Sequence, residues 1–158
     1  MPIGETNLAT LLRTLEPILS PETYVFITTT QPLSSLPLST IQSELIFREP
    51  EGLTLITSKE LAESHGYYYR RQNTNQDDHG YTFPCKKILL KVHSSLEAVG
   101  LMATISSRFA KEEISCNIVG AYFHDHIFVP VGKEEQAMRS LEELGGRRRQ
   151  RNEAMASF

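Results

Sequence analysis

The sequence has no tryptophan, only two cysteines and no long apolar run. Cys85 and Cys116 stand in no metal-ligand spacing, so we expect two reduced, buried thiols and neither a disulfide framework nor a zinc site. No apolar stretch approaches the roughly 20 residues that a bilayer crossing requires. The N-terminal residues also lack the basic start and apolar core of a signal peptide. We therefore expect a cytoplasmic protein without a membrane partner.

An excess of positive charge is also missing. The 16 Lys and Arg residues are outnumbered by 19 Asp and Glu residues, which gives a formal net charge of −3. Binding to nucleic acid requires a basic face, so no nucleic-acid partner is expected. The exception is a cluster of arginines, Arg147 to Arg149 and Arg151, that follows two glycines. We interpret residues 147–158 as a basic, solvated and disordered tail.

The common catalytic motifs are absent. The sequence contains no G-x-S-x-G elbow, phosphate-binding loop, HExxH or dinucleotide-binding glycine pattern. No serine is marked by a neighbouring base and acid as an activated nucleophile. These absences favour a protein that is not an enzyme and that needs no cofactor.

The first half of the chain predicts two helices and three strands. Leucines at 8, 11, 12 and 15 have helical spacing, with Thr6 or Asn7 available as the N-cap. Strands are predicted at 24–29, 45–47 and 53–56, the last two forming a hairpin. Thr57 and Glu60 have the spacing of a capping box, which predicts a short helix at 59–65. Residues 67–84 show neither period and are interpreted as a linker.

The second half predicts the order β-α-β-β-α. Residues 88–92 alternate as in a strand, and strands at about 116–123 and 127–131 flank a polar turn at 124–126. The last helix follows Gly132 and stops at Gly145. Between the first two of these strands, apolar residues recur on one face of a helix: Ala98, Leu101, Met102, Ile105 and Phe109. This order is that of a split βαβ sandwich, and the first half repeats part of it.

The residues at 100–118 (GLMATISSRFAKEEISCNI) resemble the ACT-domain pattern, in which a glycine opens an amphipathic helix that turns into a strand with an asparagine. The segments HSSLEAVG (93–100) and YFHDHIFVP (122–130) resemble small proteins with two ACT domains. Relatives of that layout include amino-acid sensors and the regulatory ends of aspartate kinases. In the first half the similarity rests on EGLTL (51–55) and on element order.

The resemblance implies an α+β fold of two ferredoxin-like βαββαβ units, with antiparallel sheets covered by helices on one face. It implies a degenerate N-terminal unit at 1–84, including the linker, and a C-terminal ACT domain at 85–146. In the N-terminal unit, a Pro/Ser-rich loop replaces the helix expected between the first two strands.

The resemblance also implies that a ligand binds at the loop between the first strand and first helix of a unit. The residues agree, because a helix that begins at 97–99 has unpaired amides and the positive end of its dipole there, which suit a carboxylate. Gly100 allows close approach. Ser94 with Glu97 alternatively forms a capping box. The predicted ligand-binding residues are Ser94, Ser95, Glu97, Val99, Gly100, Leu101, Asn117, Ile118 and Asp125.

Three members of this set are predicted from the chemistry of their side chains. Asn117, in an apolar strand, needs hydrogen-bond partners if it is buried, and a ligand would supply them. Asp125 and Glu97 are the carboxylates best suited to an amino group, although both equally fit solvated turns.

Three functions are weighed. The first is a regulatory module that binds an amino acid and acts on a partner protein. The second is a metal-dependent enzyme using His93, His124 and His126, although adjacent strand positions rarely converge on one ion. The third is an interaction protein whose sheet edges pair in a homodimer.

Overall fold

The computed structural model describes residues 4–70, 80–92 and 94–146. In chain order the described elements are α1 (Leu8–Thr14), β1 (Glu16–Thr29), α2 (Leu38–Ile41), β2 (Leu45–Glu49), β3 (Gly52–Ser58), α3 (Lys59–Ser64), β4 (Gly80–Lys91), α4 (Leu101–Lys111), β5 (Asn117–Gly120), β6 (Asp125–Pro130) and α5 (Glu134–Leu144). A 3-10 turn at Leu33–Ser35 precedes α2. None of the helices in these ranges has the length and apolar character of a membrane span. The predicted tail at 147–158 lies outside the described residues.

The chain divides by its contacts into two units. A central unit comprises Pro21–Cys85, and a terminal unit comprises the residues up to Ser20 and from Lys86 onward. Both β1 and β4 are divided between the units, since each boundary falls inside one of them. The domain boundaries predicted from the sequence, 1–84 and 85–146, refer to domains along the chain and not to these contact-based units. They stay a prediction.

The central unit has the strand order β2-β3-β1-β4, and β3 pairs antiparallel with both β2 and β1. With α2 and α3 it follows the order β-α-β-β-α-β, as predicted for a ferredoxin-like unit. The connection between β1 and β2 is the predicted Pro/Ser loop, although it carries the short α2. Its core contains apolar side chains from the strands and both helices: Val25, Ile27, Ile41, Leu55 and Ala62.

The predicted capping box of α3 is wrong by one residue. Ser58 is the N-cap, and its hydroxyl accepts a hydrogen bond from the Leu61 amide at 3.3 Å. Thr57 is instead buried, and its hydroxyl donates to the Ile41 carbonyl at 2.6 Å. The alternation of β3 explains the difference, because Thr57 remains within the strand and Ser58 is its last residue.

The terminal unit has the strand order β1-β4-β6-β5, with β5 and β6 antiparallel. Its core is formed by side chains from α1, α4, α5 and the strands. Helix α4 buries Leu101, Ile105 and Phe109, the stripe that the periodicity predicts. Helix α5 buries Ala137 and Leu141 and ends at Gly145 as expected. The fold is thus α+β with ferredoxin-like units, which confirms the predicted fold class.

Residues 80–84, which the sequence assigns to the linker, are the first part of β4. Phe83 has a left-handed backbone conformation with φ of 53°, and Pro84 has no amide hydrogen. Both interrupt the regular alternation by which a strand is recognised. The other predicted linker residues include 71–79, which lie outside the described residues.

Candidate functional site

The loop between β4 and α4 lies beside the turn between β5 and β6 in the terminal unit. The Ser94 hydroxyl donates to the Asp125 carboxylate at 3.1 Å, which connects the two segments. The Ser94 amide in turn donates to the Val92 carbonyl at 2.9 Å. The structure therefore brings together two of the predicted ligand-binding residues, a hydroxyl and a carboxylate.

Asp125 has room next to it because Gly120 is its partner across the β-ladder. A Cβ at residue 120 would lie 3.3 Å from an oxygen of the Asp125 carboxylate. Any larger side chain would occupy the space beside this carboxylate. The half-buried Asp125 can therefore accept a donor besides the Ser94 hydroxyl.

Helix α4 begins later than the sequence predicts. Its N-cap is Gly100, in the left-handed region with φ of 100°, and no side chain caps the helix from this position. The Ser94–Glu97 capping box is not formed. Instead, the Ser95 hydroxyl accepts from the Glu97 amide at 3.1 Å, and the Glu97 side chain is exposed. The predicted helix start at 97–99 is a turn, and the first amides of the helix belong to Leu101 and its successors.

The other predicted site residues are dispersed. Val99 is 84% exposed, whereas the Leu101 side chain is buried in the core. Ile118 packs against the same core. Asn117 is exposed at the start of β5, so the condition under which it would need a ligand as a hydrogen-bond partner is not met. Since Asn117 pairs with Phe128 and Asp125 lies three residues earlier in β6, the two side chains point to opposite faces of the sheet.

The N-terminal segment lies on the predicted ligand loop, which the sequence did not indicate. The Glu5 carbonyl accepts a hydrogen bond from the Ser95 amide at 3.0 Å. A Cβ at Gly4 would lie only 2.6 Å from the Ser95 nitrogen. The Leu8 side chain lies 3.2 Å from the position of a Cβ at Gly100. The start of the chain therefore covers part of the surface at which a ligand was expected.

The three-histidine alternative is not assembled by the described residues. His93 lies outside them. His124 places Nδ1 at 3.4 Å from the Val92 carbonyl, and His126 is on β6, paired with Val119. Within residues 4–70, 80–92 and 94–146, no group of three His, Cys, Asp or Glu side chains is placed to hold a metal ion.

The corresponding loop of the central unit, after β1, borders an open depression of about 390 Å³. Its lining consists of the loop Thr30–Leu33 and the β2–β3 turn Arg48–Leu53. None of the predicted ligand-binding residues lies here. The order of elements could have predicted this second candidate, because the loop follows the first strand of its unit, as residues 94–100 do in theirs.

Comparison with known proteins agrees with this architecture. Two family models, each described as an ACT domain, match residues 3–73 and 83–143. The chain is 36% identical to a protein of unknown function from Vibrio cholerae, described as a possible transport protein. That match covers 87% of this chain and 95% of the other, with a TM-score of 0.71. No curated protein matches the sequence.

More distant structures share the fold. The regulatory subunit of aspartate kinase from Thermus thermophilus, in a ligand-free form, is 11% identical, with coverage of 84% of this chain and 97% of that one and a TM-score of 0.57. A protein from Agrobacterium tumefaciens is 12% identical, with coverage of 83% and 89% and a TM-score of 0.59.

Proposed function

Because this chain belongs to the ACT-domain family and carries two ACT domains in tandem, we propose that it is a regulatory protein that binds a small molecule, an amino acid, and has no catalytic activity of its own. Its output is an altered affinity for a partner protein or for a second copy of itself, in the cytoplasm. The structural relatives include regulatory subunits of aspartate kinases, which supports the regulatory half of this proposal.

The observation that carries the ligand class is the hydrogen bond between Asp125 and Ser94, which lies in the loop that leads into α4. An amino acid presents a carboxylate and an ammonium group. The ammonium suits the Asp125 carboxylate, since a charge-assisted hydrogen bond is stronger than a neutral one. The carboxylate suits the first amides of an 11-residue helix whose N-cap side chain is absent, because Gly100 has none.

The predicted residues divide into roles under this proposal. Ser94 holds Asp125 in place, and Ser95 shapes the turn through its bond with the Glu97 amide. Gly100 and Leu101 supply backbone, and Val99 and Glu97 border the loop from the solvent side. Asn117 and Ile118 are connected to the site only by the backbone of β5, the strand that also contains Gly120.

Thermal unfolding with a panel of amino acids tests the proposal. A ligand that binds only the folded state at 100 times its Kd stabilises that state by about 2.7 kcal/mol. At millimolar concentration, at least one amino acid is expected to raise the melting temperature of the wild-type protein. Asp125→Asn keeps an acceptor for Ser94 but removes the charge, so this variant should lose the shift.

The matched control is Glu142→Gln, which removes one negative charge from the exposed face of α5. It should respond to the ligand like the wild type. A panel in which no amino acid shifts the wild-type melting temperature would contradict the proposed ligand class. An equal loss of response in both variants would mean that net charge, and not the Asp125 position, governs binding.

A further inference from the structure

We propose that the N-terminal segment Gly4–Thr6, together with the Leu8 side chain, is a strap that closes the loop at 94–100 and must lift before a ligand binds there. This inference rests on the proposed function and concerns the regulation of the same site. It makes the position of the N-terminal segment the factor that decides whether the loop is open to a ligand.

The strap and the loop are in direct backbone contact. Glu5 and Ser94 form a parallel β-bridge, and the Ser95 amide donates to the Glu5 carbonyl at 3.0 Å. At Gly4, a Cβ would lie 2.6 Å from the Ser95 nitrogen and 2.8 Å from the Ser94 carbonyl carbon. No ligand atom fits between two backbones at this separation, and the Ser95 amide is already used.

A second contact lies at the start of α4. The Leu8 Cδ2 methyl is 3.2 Å from where a Cβ of Gly100 would be, and a second Leu8 methyl is at 3.9 Å. The absence of a side chain at Gly100 is what would let a ligand approach the backbone closely. In the closed arrangement, Leu8 occupies that approach.

The strap can lift without unfolding α1. Asn7 is the N-cap of this helix, and its side-chain oxygen accepts a hydrogen bond from the Thr10 amide at 3.0 Å. The helix is held in the core further along by Leu11 and Leu15, both almost fully buried. The Glu5 carboxylate accepts from the Thr6 and Asn7 amides and makes no described contact with the loop. Opening therefore breaks one bridge and rotates one half-buried leucine, while α1 stays in place.

Closed and open strap are then two states with different ligand affinity. A ligand that binds only the open state has an apparent affinity reduced by the fraction of molecules that are open. If about one molecule in ten is open, a change that removes closure tightens binding about tenfold. The same ligand must also expose the Ser95 amide or take it over from Glu5.

The test uses Gly4→Ala, with Gly4→Val as a stronger form of the same change. Each added Cβ collides with the backbone of residues 94–95 and must push the strap away. Thr6→Ala is the matched control, because the Thr6 side chain is exposed and the strap's bonds there come from its backbone. Two quantities are measured on the full chain: hydrogen exchange of the Ser95 amide without ligand, and the Kd of the amino acid that most stabilises the wild type.

The expected result is faster exchange at Ser95 in both Gly4 variants, unchanged exchange in α1, and binding about tenfold tighter than in the wild type and the control. Unchanged exchange at Ser95, or faster exchange with equal or weaker binding, would overturn the strap while leaving the proposed function intact. If the amino-acid panel binds to neither the wild type nor the Gly4 variants, the proposed function fails and the strap's gating role fails with it.

Discussion

A polar network joins α4 to α5 in the terminal unit, and Ser140→Ala tests its contribution to stability. Ser140 is only 2% exposed, and its hydroxyl donates to the Glu112 carboxylate. That carboxylate also accepts from Arg108, whose guanidinium bonds to Glu143 on α5. Glu112 follows the last turn of α4, so it fixes the end of one helix against the other.

The magnitude follows from the burial of the two partners. A hydrogen bond to a charged group contributes about 1.5–3 kcal/mol when water is excluded. The Glu112 side chain is 22% exposed, so water replaces part of the lost bond and Arg108 remains. We expect Ser140→Ala to lower the free energy of unfolding by about 1–2 kcal/mol, which lies below or near the bottom of that range. For a chain of this size the melting temperature should fall by about 2–8 °C.

The stability difference between wild type and Ser140→Ala should also depend on pH in a definite direction. The Ser140 hydroxyl, followed by Arg108, holds the pKa of Glu112 below its ordinary value of 4.5. A carboxyl whose pKa is lower in the folded protein contributes stability above the unfolded value, and loses it as the pH falls through the folded value. The difference between wild type and Ser140→Ala should therefore be complete at pH 7 and shrink below about pH 4.5.

Urea unfolding followed by circular dichroism at several pH values provides the assay. Ser107→Ala is the control, because Ser107 is exposed on α4 and alanine is a good helix former. The predicted role of the Ser140–Glu112 bond is refuted if Ser140→Ala destabilises the protein no more than this control at pH 7. It is equally refuted if the difference between the variants grows as the pH falls.

Two further predictions concern the rest of the chain. Thr57→Val leaves the buried Ile41 carbonyl without its hydrogen-bond partner. Urea unfolding should show that the free energy of unfolding falls by about 1–3 kcal/mol. A decrease smaller than that caused by a Thr→Val change at an exposed position would contradict this prediction. Burial raises the pKa of the Cys85 thiol to about 12, so at pH 8 a thiol reagent should label the half-buried Cys116 first and Cys85 only on unfolding. Equal labelling rates in the folded protein would show that Cys85 is accessible.

The sequence predicted those elements best that bury a regular apolar stripe. In α4 the residues Leu101, Ile105 and Phe109 repeat at helical spacing, and a single helix face accounts for all three. The hairpin of β2 and β3 was likewise predicted, because two apolar runs flank a short polar turn. In both cases the signal is local, and it agrees with the burial that the fold requires.

The site was predicted less well because its contacts are long-range. Ser94 and Glu97 have the spacing of a cap, but Ser94 bonds instead with Asp125, 31 residues away. Glu5 and Ser95 are far apart in the sequence, and no sequence pattern near residue 5 predicts the hydrogen bond between them. The spacing of residues in the sequence shows which local hydrogen bonds a serine side chain can form. Which bond it forms depends on the residues that the tertiary fold brings next to it.

Amide chemical shifts show whether an amino acid binds at the β4–α4 loop. The ¹⁵N-labelled protein is titrated with the amino acid that most raises its melting temperature. We expect the largest shifts at residues 94–101 and at the β5–β6 turn, including Asp125, and a further shift at the Glu5 amide, because the strap is lifted in the bound molecules. Shifts confined to residues 30–33 and 48–53, or no shifts at all, would contradict binding at this loop.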